Sequence, residues 1–267
     1  MSELLEKLVN QVQDSAKYRL IHKDLVENIA KNELSKGRSW KATVKAVRNK
    51  LHQVGGAYQP LGIVYEQLNS ELKSLPHDLN SPEAKRFFIQ TMGLHASTRE
   101  RLQIKDQFFH ETLSSLAPIT SILDVACGLN PLALAWMPVS DSVQLTVCDI
   151  YTDQMDFLNA YFEHFHINGK AYCCDLTQQN AFEKTQVAFV LKTIPCLEQI
   201  DKNIGSKLIE SLPSENLLVS FPAQSLTGKQ KGMRQFYSEH FQSLLKGTSW
   251  KTTTFSYQNE QAFLIQK

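Results

Sequence analysis

The chain has 267 residues, 42% of them apolar and 21% charged, with 28 Lys/Arg against 27 Asp/Glu. That size suits one large domain, or a large domain with a smaller appendage, of an ordinary soluble globular protein. No run of about eighteen apolar residues argues for a membrane span. The start Met1-Ser2-Glu3-Leu4-Leu5-Glu6-Lys7 lacks the basic and apolar stretches of a secretory signal, so a cytoplasmic location is expected.

The first hundred residues read as helices. Leu4, Leu5, Leu8 and Val12 form one apolar stripe, and Leu20, Ile21, Leu25 and Ile29 form a second. In a third helix Val44, Val47 and Leu51 make the apolar face, with Lys41, Lys45, Arg48 and His52 beside it. Residues 36–50 hold six bases (Lys36, Arg38, Lys41, Lys45, Arg48, Lys50) and no acid. Such a face is either a solvated side of a small bundle or a phosphate-binding one. The absence of acids favours the second, and with it a polyanionic partner. Gly55-Gly56 is expected to break this helix, and Leu75-Pro76-His77-Asp78-Leu79-Asn80-Ser81-Pro82 is a turn-rich linker. A helix begins near Pro82, and Ser97 or Thr98 caps the next, which runs to about Leu116.

From Ile119 strands and helices alternate. Strands are expected at 121–125, 143–148, 170–174, 187–191, 216–221, 250–257 and 260–266, the last two joined as an antiparallel hairpin at Asn259-Glu260. In Ile122-Leu123-Asp124-Val125-Ala126-Cys127-Gly128-Leu129-Asn130-Pro131, an apolar run ends in an acid and a small-residue turn. A helix then begins with Asn130 as its cap and Pro131 at its first position. Asp149 closes the next strand twenty-five residues after Asp124, the spacing of a βαβ unit whose second carboxylate holds a ribose diol. With Asp175 after the third strand, the three acids are expected to converge in the crevice at the strand ends. Asp149 is best placed for ribose hydroxyls, and Asp175 with Leu176 for an adenine edge.

Parallel strands, a closing hairpin and a missing G-x-G-x-x-G disfavour a nicotinamide dehydrogenase. They fit an α/β class I methyltransferase (Rossmann-like), with a mainly parallel seven-stranded sheet and a helical N-terminal subdomain. Lys192 leaves the fourth strand where such enzymes place the methyl acceptor, unless it only snorkels to solvent. Residues 225–234 carry two glycines and three bases (Lys229, Lys231, Arg234), a cationic loop at the sheet's functional end. Five cysteines, at 127, 148, 173, 174 and 196, include no C-x-x-C pair and are expected as buried free thiols.

Four motifs in order then carry a specific resemblance. They are His95-Ala96-Ser97-Thr98-Arg99-Glu100-Arg101, Asp124-Val125-Ala126-Cys127-Gly128-Leu129-Asn130-Pro131-Leu132-Ala133-Leu134, Leu191-Lys192-Thr193-Ile194-Pro195-Cys196-Leu197-Glu198, and Phe221-Pro222-Ala223-Gln224-Ser225-Leu226-Thr227-Gly228-Lys229-Gln230-Lys231-Gly232. Together with Lys50-Leu51-His52-Gln53-Val54-Gly55-Gly56-Ala57-Tyr58, they make nearly the whole chain resemble the Arm family. These are 16S rRNA (guanine-N7) methyltransferases that confer aminoglycoside resistance.

The resemblance implies S-adenosylmethionine as cofactor, with Arg101 on the methionine carboxylate and Ala126, Cys127 and Gly128 near the methionyl portion. Asp149 would take the ribose, Asp175 and Leu176 the adenine, and Leu191 the cofactor's flank, with Tyr58, His95, Ala96, Ser97 and Gln199 nearby. Lys192 and Glu198 match positions tied to activity, and Lys229, Lys231 and Arg234 match the substrate-contacting loop. Residues 1–100 would then bind rRNA through Lys36, Arg38, Lys41, Lys45, Arg48 and Lys50, and 101–267 would form the methyltransferase domain. The partner implied is 16S rRNA within the assembled small ribosomal subunit, met by a monomer that uses neither metal nor membrane. Ala126 stands where many methyltransferases have Gly, as it does in Arm relatives. Two other readings are methylation of a different base atom, such as adenine N1, and a non-catalytic RNA-binding protein of this fold.

Overall fold

The computed structural model describes residues 3–56, 63–223 and 232–267. Its first helices, α1 (Glu3–Gln13), α2 (Lys23–Leu34) and α3 (Trp40–Leu51), carry most of the anticipated stripes, but Leu4 and Leu20 are exposed, and Leu20 and Ile21 precede α2. Leu8, Val12, Leu25, Ile29, Val47 and Leu51 lie in one buried cluster that also takes in Tyr151 from the sheet domain. α3 ends at Leu51, before the glycine pair, and the chain passes into a π turn, His52–Gly56, that ends on the pair. Gly55 packs closely there: a Cβ on it would sit 2.5 Å from Ile150 Cδ1 and 3.0 Å from the Tyr151 hydroxyl, so those side chains would have to shift.

Next come α4 (Tyr65–Leu72), α5 (Pro82–Met92), α6 (Ala96–Arg101) and α7 (Lys105–Leu113). Ser81 caps α5, its hydroxyl accepting from Ala84 N at 3.2 Å, and Pro82 follows in the first turn. The single helix expected from residue 97 to 116 is instead two. Thr98 does not cap it, because its hydroxyl donates to Met92 O at 2.7 Å and ties the α5–α6 turn.

Seven strands follow: β1 (Ile119–Val125), β2 (Val139–Asp149), β3 (Asn168–Cys173), β4 (Val187–Leu191), β5 (Asn216–Pro222), β6 (Lys251–Ser256) and β7 (Glu260–Gln266). Their order is β3-β2-β1-β4-β5-β7-β6, with β7 antiparallel to both β5 and β6. The connecting helices are α8 (Thr152–His164), α9 (Ile194–Leu197), α10 (Ile204–Ser211) and α11 (Met233–Leu244). Alternate residues of the central strands serve opposite faces, as the two-residue period of a strand requires. Ile122, Phe189 and Leu218 join the core under α4, α5, α7 and α8. Leu123, Val190 and Val219 join the core under α9, α10 and α11. The edge strand β6 is almost wholly exposed and rich in threonine, with Lys251 at its start, which suits an unpaired edge. Among the described residues no helix is long and apolar enough to cross a membrane.

One element after β1 departs from expectation. Asn130–Trp136 is a 3₁₀ helix, and Asn130 lies inside it rather than capping an α-helix. Its amide is already spent on tertiary bonds: Nδ2 donates to Asp124 Oδ2 at 2.7 Å, and Oδ1 accepts from Arg101 Nη1 at 2.9 Å. Glu260 also differs. Expected in the hairpin turn, it opens β7 and is fully buried.

Candidate active site

The order reverses between β1 and β4, and ligands bind beyond the strand ends at such a switch point. A cleft lies there, partly open to solvent, as ligand sites at such points are. His95, Ser97, Arg101, Ala126, Cys127, Asp149, Asp175, Leu176, Leu191 and Lys192 all line it. These residues come from five separate segments of the chain.

The turn after β1 is shaped by left-handed backbone, with φ of 51° at Ala126 and 54° at Gly128. An alanine in that region costs about 1–2 kcal/mol, and such strain concentrates at functional sites. Gly128 has a second constraint, since a Cβ there would approach His95 Cε1 to 2.8 Å. The turn is tied to β2 by Gly128 N, which donates to Asp149 Oδ2 at 2.7 Å, while Ile150 N donates to Oδ1, also at 2.7 Å. The Gln154 side chain also bonds this carboxylate, which offers about four lone-pair sites and so keeps room for a further donor. Burial raises the Asp149 carboxyl, and its bonds to the Gly128 and Ile150 amides oppose this.

Beyond β3, Asp175 Oδ1 accepts from Thr177 N at 2.8 Å and Thr177 Oγ1 at 2.6 Å. Beyond β4, Lys192 has φ of 58° and donates its backbone N–H to Ser220 O at 3.0 Å. Its ammonium does not reach solvent. It donates to Glu100 Oε2 at 2.8 Å and to Ser97 O at 3.2 Å, and lies 3.5 Å from Glu260 Oε2.

Arg101 anchors this buried charge network. Its Nε and Nη2 grip Glu260 at 3.1 and 2.6 Å, and its guanidinium lies 4.9 Å from the Phe108 ring centre. With a third N–H on Asn130, two of its five N–H donors remain for an anion in the cleft. The donor set therefore fits a ligand with a carboxylate, a ribose diol and an adenine.

Asp124 does not join the other two acids. It faces away from the cleft, buried beneath Asn130. Burial pushes its carboxyl up to about 7, against the Asn130 hydrogen bond and the charge of Arg101. An unfolded aspartate gives up its proton near 3.8, so between about 4 and 7 the folded chain holds a proton that the unfolded chain has lost. Asp124 therefore withdraws stability as pH rises through that window, by up to about 1.4 kcal/mol per unit. His95 has the opposite sign. Burial, then Lys192 and Arg101, lower it to about 4, so its share is lost as pH falls from 6.5 towards 4. In thermal melts, Asp124→Asn should gain on the parent chain between about pH 5 and pH 8. An unchanged difference would contradict the buried, protonated carboxyl.

The other anticipated residues are placed less centrally. Ala96 is buried at the start of α6, outside the cleft lining. Glu198, at the end of α9, faces His240 Nε2, with contacts of 2.8 and 3.0 Å. Gln199 offers its carbonyl to Lys50 Nζ. Lys36 and Arg38 both pair with buried Glu33, an acid three residues before the acid-free stretch 36–50. Arg48 donates to Gln11 O at 3.0 Å, whereas Lys41 and Lys45 are exposed along α3. Arg234 donates to the carbonyls of Tyr257 and Gln258 in the closing hairpin. Tyr58, Lys229 and Lys231 lie outside the described residues.

Several lining residues escaped the sequence reading. Leu25, Val54 and Gly55 come from the N-terminal helices, and Ile150 and Tyr151 directly follow Asp149. Four of the five cysteines (Cys127, Cys148, Cys174 and Cys196) also line the cleft, and Cys173 and Cys196 are only half-buried.

The profile of the family described as Ribosomal RNA methyltransferase (FmrO) matches residues 14–265. A 16S rRNA (guanine(1405)-N(7))-methyltransferase of Micromonospora rosea is 30% identical over 265 residues, covering 98% of this chain and 97% of the relative. The crystal structure of 16S rRNA methyltransferase RmtF in complex with S-adenosyl-L-homocysteine superposes with a TM-score of 0.84 at 25% identity, covering 100% of this chain and 99% of the other. The 16S rRNA methylase RmtB gives 0.80 at 26% identity, with 98% of both chains covered.

Proposed function

The chain belongs to the ribosomal RNA methyltransferase (FmrO) family, and from that premise we propose that it methylates N7 of guanine 1405 of 16S rRNA. The observation that carries this reading is the cleft at the β1/β4 switch point, where Arg101, Asp149 and Asp175 stand apart to meet the three polar parts of S-adenosylmethionine. That cofactor supplies a methyl group on a sulfonium. Guanine N7 carries an in-plane lone pair and needs no deprotonation, so the protein's task is alignment and exclusion of water. Neutral His95 and the fully paired Lys192 agree with a site lacking a strong general base. Lys192 and Glu198 shape the acceptor pocket.

Base N7 atoms in A-form RNA face a deep, narrow groove, so the target guanine is turned outward to enter. The product bears a fixed positive charge at the decoding site, which repels polycationic aminoglycosides and removes an acceptor, and so confers resistance. The enzyme works in the cytoplasm as a monomer on assembled small subunits. Residues 1–100 act as the docking unit, and 101–267 as the methyltransferase domain.

Exposed Lys41 and Lys45 on α3 are the docking cations best supported by geometry. Lys41→Glu with Lys45→Glu should weaken small-subunit binding about tenfold or more, with a shallower salt dependence. S-adenosylhomocysteine affinity, measured by titration calorimetry, should stay within about twofold. Equal loss of both would make the face structural.

A further inference from the structure

One side chain of the N-terminal helical unit bonds directly to an acid that lines the cofactor cleft. Asn28, on the second turn of α2, donates its Nδ2 to Asp175 Oδ2 at 2.8 Å across 147 residues of sequence. The cleft wall is thin there. Cys174 and Asp175 line the cleft and also an outer groove, and Asn28 lines that groove. The bond therefore stands between the two cavities.

The hydrogen-bond capacity of Asp175 makes this contact consequential. A carboxylate offers about four lone-pair sites. Thr177 takes two, both on Oδ1, through its backbone N–H and its hydroxyl. Asn28 takes a third on Oδ2. One acceptor site remains on Oδ2, enough for one exocyclic amino N–H. Without Asn28, Oδ2 has two open sites and loses the donor that fixes its direction, leaving only Thr177 to hold the carboxylate.

We propose that Asn28 is a positioning residue for the adenine end of the cofactor, fixing the Asp175 carboxylate so that one acceptor site faces the 6-amino group. This rests on the reading of the cleft as an S-adenosylmethionine site with adenine at Asp175. It gives α2 a role in cofactor selection besides supporting the basic face of α3.

The test uses the full chain and calorimetric titration with S-adenosylhomocysteine and with its analogue lacking the 6-amino group. The parent chain should prefer the amino compound by about tenfold, the worth of one hydrogen bond to a charged group. Asn28→Ala should weaken the amino compound about five- to tenfold and leave the analogue within about twofold, so that the preference collapses. A simple tether between α2 and the sheet would lower the melting temperature and weaken both ligands alike, and that result would overturn the proposal. So would an unchanged preference.

The exchange Asn28→Asp with Asp175→Asn restores a donor–acceptor pair between the two positions but presents no carboxylate to the ligand. It should recover stability without recovering the preference, and a recovered preference would again count against the proposal. Asp175→Ala separates the two levels of the argument. If it spares the preference, adenine does not sit at Asp175. If it abolishes the preference while Asn28→Ala does not, only the role of Asn28 fails.

Discussion

Arg101→Met is expected to abolish cofactor binding and to lower the melting temperature by roughly 10 °C. Glu260 is fully buried, and its neighbours are Arg101, the Ser220 hydroxyl at 2.5 Å and Lys192 at 3.5 Å. Burial pushes its carboxyl up, but Arg101 and Lys192, with hydrogen bonds from Arg101 and Ser220, outweigh this and hold it below the usual range. Removing Arg101 takes away the closer cation and both of its N–H donors. Breaking a buried ion pair by deleting one partner costs about 3–5 kcal/mol, which shifts the transition of a domain this size by several degrees per partner lost. Adding Glu260→Gln to Arg101→Met should return much of the stability, since no uncompensated charge is left. Cofactor binding should not return, because the guanidinium that lines the cleft is gone. Thermal melts and calorimetry with S-adenosylhomocysteine check the two halves separately. Equal melting of Arg101→Met and the parent chain would show that the network does not hold the fold.

Asp149→Ala should raise the dissociation constant for S-adenosylhomocysteine about a hundredfold with a smaller effect on the fold. Asp149 works twice: it presents its carboxylate to the cleft, and it accepts the Gly128 and Ile150 amides that set the turn after β1. Two hydrogen bonds to a charged acceptor are worth about 1.5–3 kcal/mol each, which supports a loss of that order. Asp149→Asn preserves the shape but places an NH₂ against one of the two amide donors. It should bind little better than Asp149→Ala. Near-parental affinity in Asp149→Asn would mean that the carboxylate does not hold the cofactor.

The strands and the two outer acids were legible because local pattern determines them. A buried strand in a parallel sheet is a short apolar run, and an acid just past its end projects into the crevice unless a tertiary partner turns it inward. Asp149 and Asp175 accordingly line the cleft. Asp124 has the same sequence context, yet it is turned inward by Asn130, a contact that depends on how the 3₁₀ segment packs. Glu260 looked like a turn residue because acids are rarely buried unless paired, and its partners Arg101 and Lys192 lie 159 and 68 residues away. Glu33 shows the same limitation at the surface. It folds back on Lys36 and Arg38 from three residues before the acid-free stretch, which therefore overstated the free positive charge. Leu25 reaches the cleft, and Asn28 reaches Asp175 in its wall, only because α2 packs beside the β2–α8 turn, where His22 N donates to Ile150 O at 2.7 Å. No local periodicity encodes that placement.

The central claim is methyl transfer to guanine N7 in the small subunit, and chemistry at the modified base tests it most directly. Small subunits from drug-sensitive bacteria should be incubated with the protein and S-adenosylmethionine carrying a labelled methyl group, and the extracted 16S rRNA then cleaved chemically at 7-methylguanosine. The account predicts label in 16S rRNA and chain scission at guanine 1405, the position in the name of the Micromonospora rosea relative. Label without scission would mean another atom is methylated, and unlabelled subunits would contradict the account altogether.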